Sequence, residues 1–478
     1  MLEDTGGAVE KFISGQPTKD ALLAAAATQR RLGFGPVDDM PMQGCGLNPM
    51  ARVYSPEEVI RRLQLSEPPC YGPVDDIIRE YNLYVTEHTD LMNKMRETVK
   101  RKPHKSLRLA FIQWNALMIK PSTFQVLAPF LNQEKGFNPD DVDVVTIVLQ
   151  ENMKLDSRRE RRFLTNIQTV LNLLSTTANW GPASISYLGN IRGTQAKAIL
   201  TPNTQSLIYI MRETHQPDYI CNAEQSVQGG EKGFIGAVFG FPGLGKLAVL
   251  GSHLKGWKAK QFENVFPDLL KQCGSPHVGL DSFSLGVVFG ADFNEHLHFE
   301  SLTHLYNTAL QDPDRYPAFA KVQTASAEES DNIKMTRLLT EALAEPLDII
   351  ASTYEPLIWS VDRLVCDRMS VIADGQHEFV YGICGMMTLS QGHSPFSVLK
   401  KCLAPKVFAS RRGVGYLDRV TVRLSSESTA VLDRMFEAGG MEGEVPSTFA
   451  SITSGLQVYD MRSDHVQVAN IIEFLKVD

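Results

Sequence analysis

The chain has 478 residues, 43% of them apolar and 21% charged, with a formal net charge of −8. That length exceeds one ordinary core, so two domains or one large domain with extensions is expected, and the mix excludes a disordered or fibrous chain. The acidic balance argues against a strongly basic nucleic-acid binder and leaves any polyanion contact to local patches.

Residues 1–104 read as a helical N-terminal extension. Thr18-Lys19-Asp20 opens an Ala-rich helix that stops near Gly33. Its aliphatic stretch, residues 21–27, is far too short to span a bilayer. The start, Met1-Leu2-Glu3-Asp4, is acidic and has no secretory n-region, so a cytoplasmic protein is expected. Residues 33–49 read as loop. Ser55-Pro56-Glu57-Glu58 is a capping box with Pro at the first helical position. Pro73 opens a longer helical segment that includes Ile77, Ile78, Tyr81 and Leu91. The seven cysteines show no Cys-x-x-Cys spacing, so reduced thiols are expected, without a disulfide framework or a zinc site. The basic run Lys100-Arg101-Lys102-Pro103-His104-Lys105 reads as a solvated linker at a domain boundary; its alternative is a patch for an anionic membrane or a polyphosphate.

From residue 107 the pattern changes. Strands are expected over 107–112, 142–149, 206–211, 234–239, 246–250, 283–289, 361–366 and 466–472, and helices over 163–174, 259–273 and 299–310. The glycine-rich 240–245 reads as a hairpin turn, since it lacks the Lys-Ser/Thr ending of a P-loop. Strands and helices intermixed suggest an α/β or α+β sandwich. No repeat of fixed period is visible.

Polar groups gather where these apolar runs end. Asn115 follows Phe111-Ile112, and Glu151 follows the run ending at Leu149. A carboxylate at the mouth of a buried strand is costly unless it pairs or binds metal. Asp292 and Asn294 follow 287–289 at alternate positions, so both can face one site. His253 follows Leu250-Gly251-Ser252, and Asp464-His465 precedes the last strand. An imidazole needs a partner to set its tautomer, and Asp362 can supply one to His465. Lys232 and Arg363 are cations placed among these groups. Arg158, Arg159, Arg161 and Arg162 read as the exposed start of a helix, or else as a phosphate or membrane contact near the site mouth. Cutting a phosphate ester needs a cation on the phosphoryl oxygens, a base for water, and donors for the transition state.

In one consistent order, Gln113-Trp114-Asn115, Gln150-Glu151, Lys232-Gly233, Ser252-His253-Leu254, Asp292-Phe293-Asn294, Asp362-Arg363 and Ser463-Asp464-His465 resemble the motifs of the endonuclease/exonuclease/phosphatase superfamily. The inositol polyphosphate 5-phosphatase branch is the most similar. The resemblance covers roughly residues 105–478. It implies a four-layer α/β sandwich of the DNase I-like kind using Mg²⁺, with an insertion near 375–450. It further implies Glu151, with Asn115 and Asp464 close by, as the metal site. Asp292 would deprotonate water, Asn294 would hold it, and His465 steadied by Asp362 would stabilise the transferring group. His253, Lys232 and Arg363 would contact the substrate. Several recognition positions depart from the family pattern: Ala291, Glu295-His296, Glu355 and Glu231 stand where Gly, Tyr-Arg, Lys and Asn are usual.

The implied function is Mg²⁺-dependent hydrolysis of a phosphate monoester in an inositol phosphate or phosphoinositide, with peripheral contact at membranes and nucleic acid ranked lower as a partner. One alternative is a phosphodiesterase of the same superfamily, either a deadenylase or nocturnin-type nuclease or a sphingomyelinase. Another is a pseudophosphatase that binds protein partners, which for the N-terminal extension are unidentified.

Overall fold

The computed structural model describes residues 34–38, 45–46, 89–116, 119–132, 136–188, 203–226, 232–253, 272–273, 283–292, 382–383, 418–437, 444–460 and 465–478. In chain order the principal elements are strands β1 (Phe34–Asp38) and β2 (Cys45–Gly46), helix α1 (Thr89–Lys100), β3 (His104–Asn115), β4 (Val144–Met153), α2 (Ser157–Leu174), β5 (Ser184–Leu188) and β6 (Asn203–Met211). There follow β7 (Tyr219–Ser226), β8 (Gly233–Phe241), β9 (Gly245–His253), β10 (Gly286–Asp292), β11 (Gly382–Ile383), β12 (Asp418–Arg423), α3 (Ser426–Glu437), β13 (Thr448–Asp460) and β14 (Val466–Val477).

The strands form two mixed sheets. The first runs β1-β13-β14-β3-β4-β6-β5, with β2 also pairing with β13; the second runs β11-β12-β10-β9-β8-β7. Within each sheet one central pair is parallel, β3 with β4 and β9 with β10. The sheets pack face to face, because alternate residues on their strands are apolar. Leu107, Leu109 and Phe111 of β3 meet Val249 of β9, Val288 of β10 and Val420 of β12 in one buried core. The intervening residues Ala110, Ile112 and Trp114 point the other way, onto α2. That helix starts at Asp156, whose carboxylate caps the Arg159 N–H, and it buries Phe163, Ile167, Val170, Leu171 and Leu174 as one stripe. Its first two turns carry Arg158, Arg159, Arg161 and Arg162, all exposed.

Glycine lets the two sheets approach closely. A Cβ on Gly290 would meet the Phe111 ring at 2.2 Å, and one on Gly251 would meet Val148 at 2.3 Å. Both glycines lie just before a residue of the site described below, so the close approach brings two strand ends of the second sheet against the first.

Three expectations change. Residues 33–49 contain strands β1 and β2, both paired with β13, where a loop was expected. The segment 375–450 contributes β12, which pairs with β10 near the middle of the second sheet. Its Val420 and Val422 are core residues, so at least this part is integral to the sandwich. Finally, Cys221 and Cys273 form a disulfide, against the expectation of reduced thiols. It joins edge strand β7 to residues 272–273. There the Gln272 carboxamide bonds both the N–H and the C=O of Glu224, and the Tyr219 hydroxyl donates to the Cys273 carbonyl. The strand expected over 361–366 and the helix over 299–310 lie outside the described residues, as does all but the end of the helix expected over 259–273. Among the described residues no helix is long and apolar enough to cross a membrane.

Candidate active site

One rim of the sandwich collects the polar residues, and topology explains why. β3 ends there at Asn115, beside the bulge of its parallel neighbour β4 that holds Glu151, and parallel β9 and β10 end there with His253 and Asp292. The antiparallel neighbours begin at the same rim: Lys232 just before β8, Asp418 at the start of β12, and His465 just before β14. The register pairs Asp292 with both His253 and Asp418 across the second sheet.

Glu151 is placed by an irregularity. The pairing of β4 with β6 shifts register between Leu149 and Asn152, and Glu151 within that bulge has φ 48°, the one positive value at a non-glycine among the described residues. A bulge re-aims a side chain off the regular pleat. Left-handed backbone in a residue with a Cβ costs on the order of 1 kcal/mol, so strain is held at this carboxylate. The next strand over is fixed by the buried neighbour Gln150, whose Nε2 donates to the Ser252 carbonyl at 3.1 Å, joining the two sheets.

The side chains converge. Asn115 Nδ2 donates to Asp292 Oδ2 at 2.9 Å. His253 Nε2 lies 3.4 Å from both Glu151 Oε1 and Asp292 Oδ2, and the Lys232 ammonium approaches the same nitrogen. His465 Nε2 stands 4.0 Å from Asp292 Oδ2, while its Nδ1 is 2.5 Å from Asp418 Oδ2. An ionised carboxylate only accepts, so Nδ1 carries the proton and Nε2 faces the centre of the site. Asp418 Oδ1 in turn accepts from Gln113 Nε2 at 2.7 Å.

The electrostatics are those of carboxylates taken out of water. Burial raises the Asp292 carboxyl above its ordinary range; His465 and the Asn115 bond oppose that rise, and Asp418 adds to it. Burial raises Glu151 as well, with Lys232 the largest opposing charge and Asp292 adding to the rise. Oxygen atoms of Asp292 and Asp418 and a nitrogen of His465 lie within 4.8 Å of one another, a grouping able to hold a metal ion. Negative charge so concentrated suits a divalent cation, and a set dominated by carboxylate and amide oxygens suits a hard one.

Of the residues singled out in the sequence, Asn115, Glu151, Lys232, His253, Asp292 and His465 meet at this rim. Asn294, Asp362, Arg363 and Asp464 lie outside the described residues. The partner of His465 Nδ1, expected to be Asp362, is Asp418. Sequence reading passed over Asp418 because the chain holds five Asp-Arg pairs. The distinguishing signal was local: Asp418-Arg419 opens the alternating run Val420-Thr421-Val422, as a residue at a strand mouth should. Gln113, also without an assigned role, lies in the same network.

No family model matches the chain, and no curated protein matches it. Solved structures do. The chain is similar to the inositol polyphosphate 5-phosphatase domain of SPsynaptojanin, solved with inositol (1,4)-bisphosphate and calcium, at 14% identity and TM-score 0.40, covering 82% of this chain and 92% of that one. It is similar to the human nocturnin catalytic domain with bound sulfate at 10% identity and TM-score 0.32, covering 79% and 98%. An endonuclease/exonuclease/phosphatase from Beutenbergia cavernae is similar at 12% identity and TM-score 0.30, covering 78% and 72%.

Proposed function

We propose that the chain is a metal-dependent phosphoric ester hydrolase of the endonuclease/exonuclease/phosphatase superfamily, acting on a phosphate monoester of an inositol phosphate or phosphoinositide. The observation that carries the reading is convergence. Asn115, Glu151, Asp292, Asp418 and His465 come from strands of both sheets and meet at one rim. Glu151 and Asp292, with the Asn115 oxygen beside them, would hold a divalent cation such as Mg²⁺, which would neutralise the phosphoryl oxygens.

The chain's own residues divide the remaining work. Asp292 is buried where the two sheets meet, with one carboxylate oxygen held by Asn115, so it is placed to take a proton from the attacking water. Asn115, by donating to Asp292, sets which carboxylate oxygen faces that water. As the water oxygen bonds to phosphorus, the bond from phosphorus to the alcohol oxygen breaks; the leaving oxygen takes a proton from solvent, and Asp292 returns the proton it received to solvent. His465, its ring held by Asp418 through Nδ1–H, would act as the imidazolium, its Nε2–H donating to the charge that builds on the transferring group. Lys232, with Glu151 and His253 beside it, provides a cation for a phosphate of the substrate. The substrate class rests on the Lys232-Gly233 and Ser252-His253-Leu254 resemblance together with this placement of Lys232.

The test is phosphate release across a panel of inositol phosphates and phosphoinositides, with Mg²⁺ and with chelator, for the wild type, Asp292→Asn and His465→Asn. Mg²⁺-dependent release that both variants lose by at least about 1,000-fold is expected. Nucleotide release from RNA without phosphate release would move the substrate to the diesterase class. No turnover of any ester, with no Mg²⁺ response, would overturn the enzymatic reading.

A further inference from the structure

We infer that Gln113 is a positioning residue for the reaction proposed above: its carboxamide locks Asp418, and through Asp418 the ring of His465. The inward face of β3 is apolar at Leu107, Leu109 and Phe111 and then turns polar at Gln113. Gln113 is fully buried, at 0% exposure. A buried carboxamide is costly unless its groups are bonded. Its Nε2 donates to Asp418 Oδ1 at 2.7 Å, while its Oε1 has no partner among the described residues. The orientation follows from chemistry, since a carboxylate oxygen can accept only from the NH₂ end. A residue kept for packing alone would be apolar here. What the carboxamide supplies is one bond, made to the residue that holds His465.

The bond divides the two oxygens of Asp418 between two tasks. Oδ1 is held by Gln113 from the first sheet, and Oδ2 is held by His465 Nδ1 at 2.5 Å. With both oxygens engaged, the carboxylate cannot rotate about its Cβ–Cγ bond without breaking a charge-assisted hydrogen bond. The His465 ring is thereby fixed in plane and tautomer, with Nε2 4.0 Å from Asp292 Oδ2. Gln113 is paired in register with Val468, near the start of the strand that His465 precedes. The first sheet thus supplies both Gln113 and His465, and they clamp a carboxylate supplied by the second.

This inference rests on the hydrolase reading, and two measurements keep their failures apart. The first is a double-mutant cycle on phosphate release from inositol trisphosphate with Mg²⁺, using Gln113→Met, Asp418→Asn and the pair. Gln113→Met should lower kcat about 10–100-fold with KM within about twofold, and should add nothing to Asp418→Asn. Additive losses, or a loss confined to KM, would overturn the inference. The second measurement needs no turnover. The Nδ1 proton of His465 should give a low-field ¹H resonance, identified by its loss in His465→Asn. In Gln113→Met it should shift or broaden while the thermal midpoint stays within a few degrees. An unmoved resonance in a folded Gln113→Met protein would refute the clamp whether or not the wild type is active. A wild type that turns over nothing would sink the hydrolase reading, and the resonance would then decide the clamp alone.

Discussion

Replacing Asp292 by Asn should make the metal-free protein more stable. The side chain is 1% exposed, and its carboxyl is raised by burial, with Asp418 adding to the effect. Ligand atoms of Asp292 and Asp418 lie within 4.8 Å of each other, so at an effective dielectric of about 20 their mutual repulsion is on the order of 3.5 kcal/mol. His465 and Lys232 oppose part of this, which leaves an expected gain of about 1–3 kcal/mol, or roughly 2–6 °C in the unfolding midpoint. The amide still accepts from Asn115 through its oxygen, so the bond at 2.9 Å is not the quantity being changed. The sign with pH is fixed by linkage. A carboxyl raised in the folded state contributes stability below its unfolded pKa and loses it as pH rises through the folded value. The advantage of Asp292→Asn should therefore be larger at about pH 8 than at about pH 4. The assay is thermal unfolding in chelator at both pH values, repeated with excess Mg²⁺. A cation at about 1,000 times its Kd adds about 4 kcal/mol to the wild type, and the variant should lose most of that. A variant less stable than wild type in chelator at about pH 8, or one with an intact Mg²⁺ shift, would refute the reasoning.

Other perturbations follow from the same structure. Glu151→Gly removes both a carboxylate and the strain of φ 48°, so in chelator it should match or exceed the wild-type midpoint while losing the Mg²⁺ shift; a retained shift would exclude Glu151 as a ligand. Glu473 shows the opposite linkage: burial would raise its carboxyl, but the Arg96 bonds at 2.9 and 2.6 Å and Lys100 at 3.1 Å outweigh that and lower it. Its stability is present above its unfolded pKa of 4.5 and is lost as pH falls through the depressed folded value, so Glu473→Gln should flatten the acid limb of a midpoint-against-pH curve. An unchanged acid limb would count against that ion-pair group. Replacing Cys221 and Cys273 together by Ser should lower the urea midpoint. The separation of 52 residues implies up to about 4 kcal/mol from chain entropy, and equal midpoints for the oxidised and Ser-substituted proteins would show the link to be without effect.

Local chemistry along the chain determined much of this protein. Strands reaching the rim at Asn115, Glu151, His253 and Asp292 were legible because an apolar run that gives way to a polar group has few other readings. The stripe of α2 was legible for the same kind of reason, since its period is set by the helix itself. Three things were decided only by tertiary structure. The sequence offers five Asp-Arg pairs; the alternating run after Asp418 marks it as a strand mouth, but which strand lies beside a histidine far along the chain is not a local quantity. The pairing of β12 with β10 brings Asp418 there. The bulge at Glu151 depends on a register shift against β6, which no short window contains. The disulfide depends on two cysteines separated by 52 residues coming to a Cα distance of 5.7 Å at a sheet edge. Residue types and their periods are local quantities, so a sequence carries them openly. Which strand lies beside which depends on burying both faces of two sheets at once, and only the folded chain satisfies that condition.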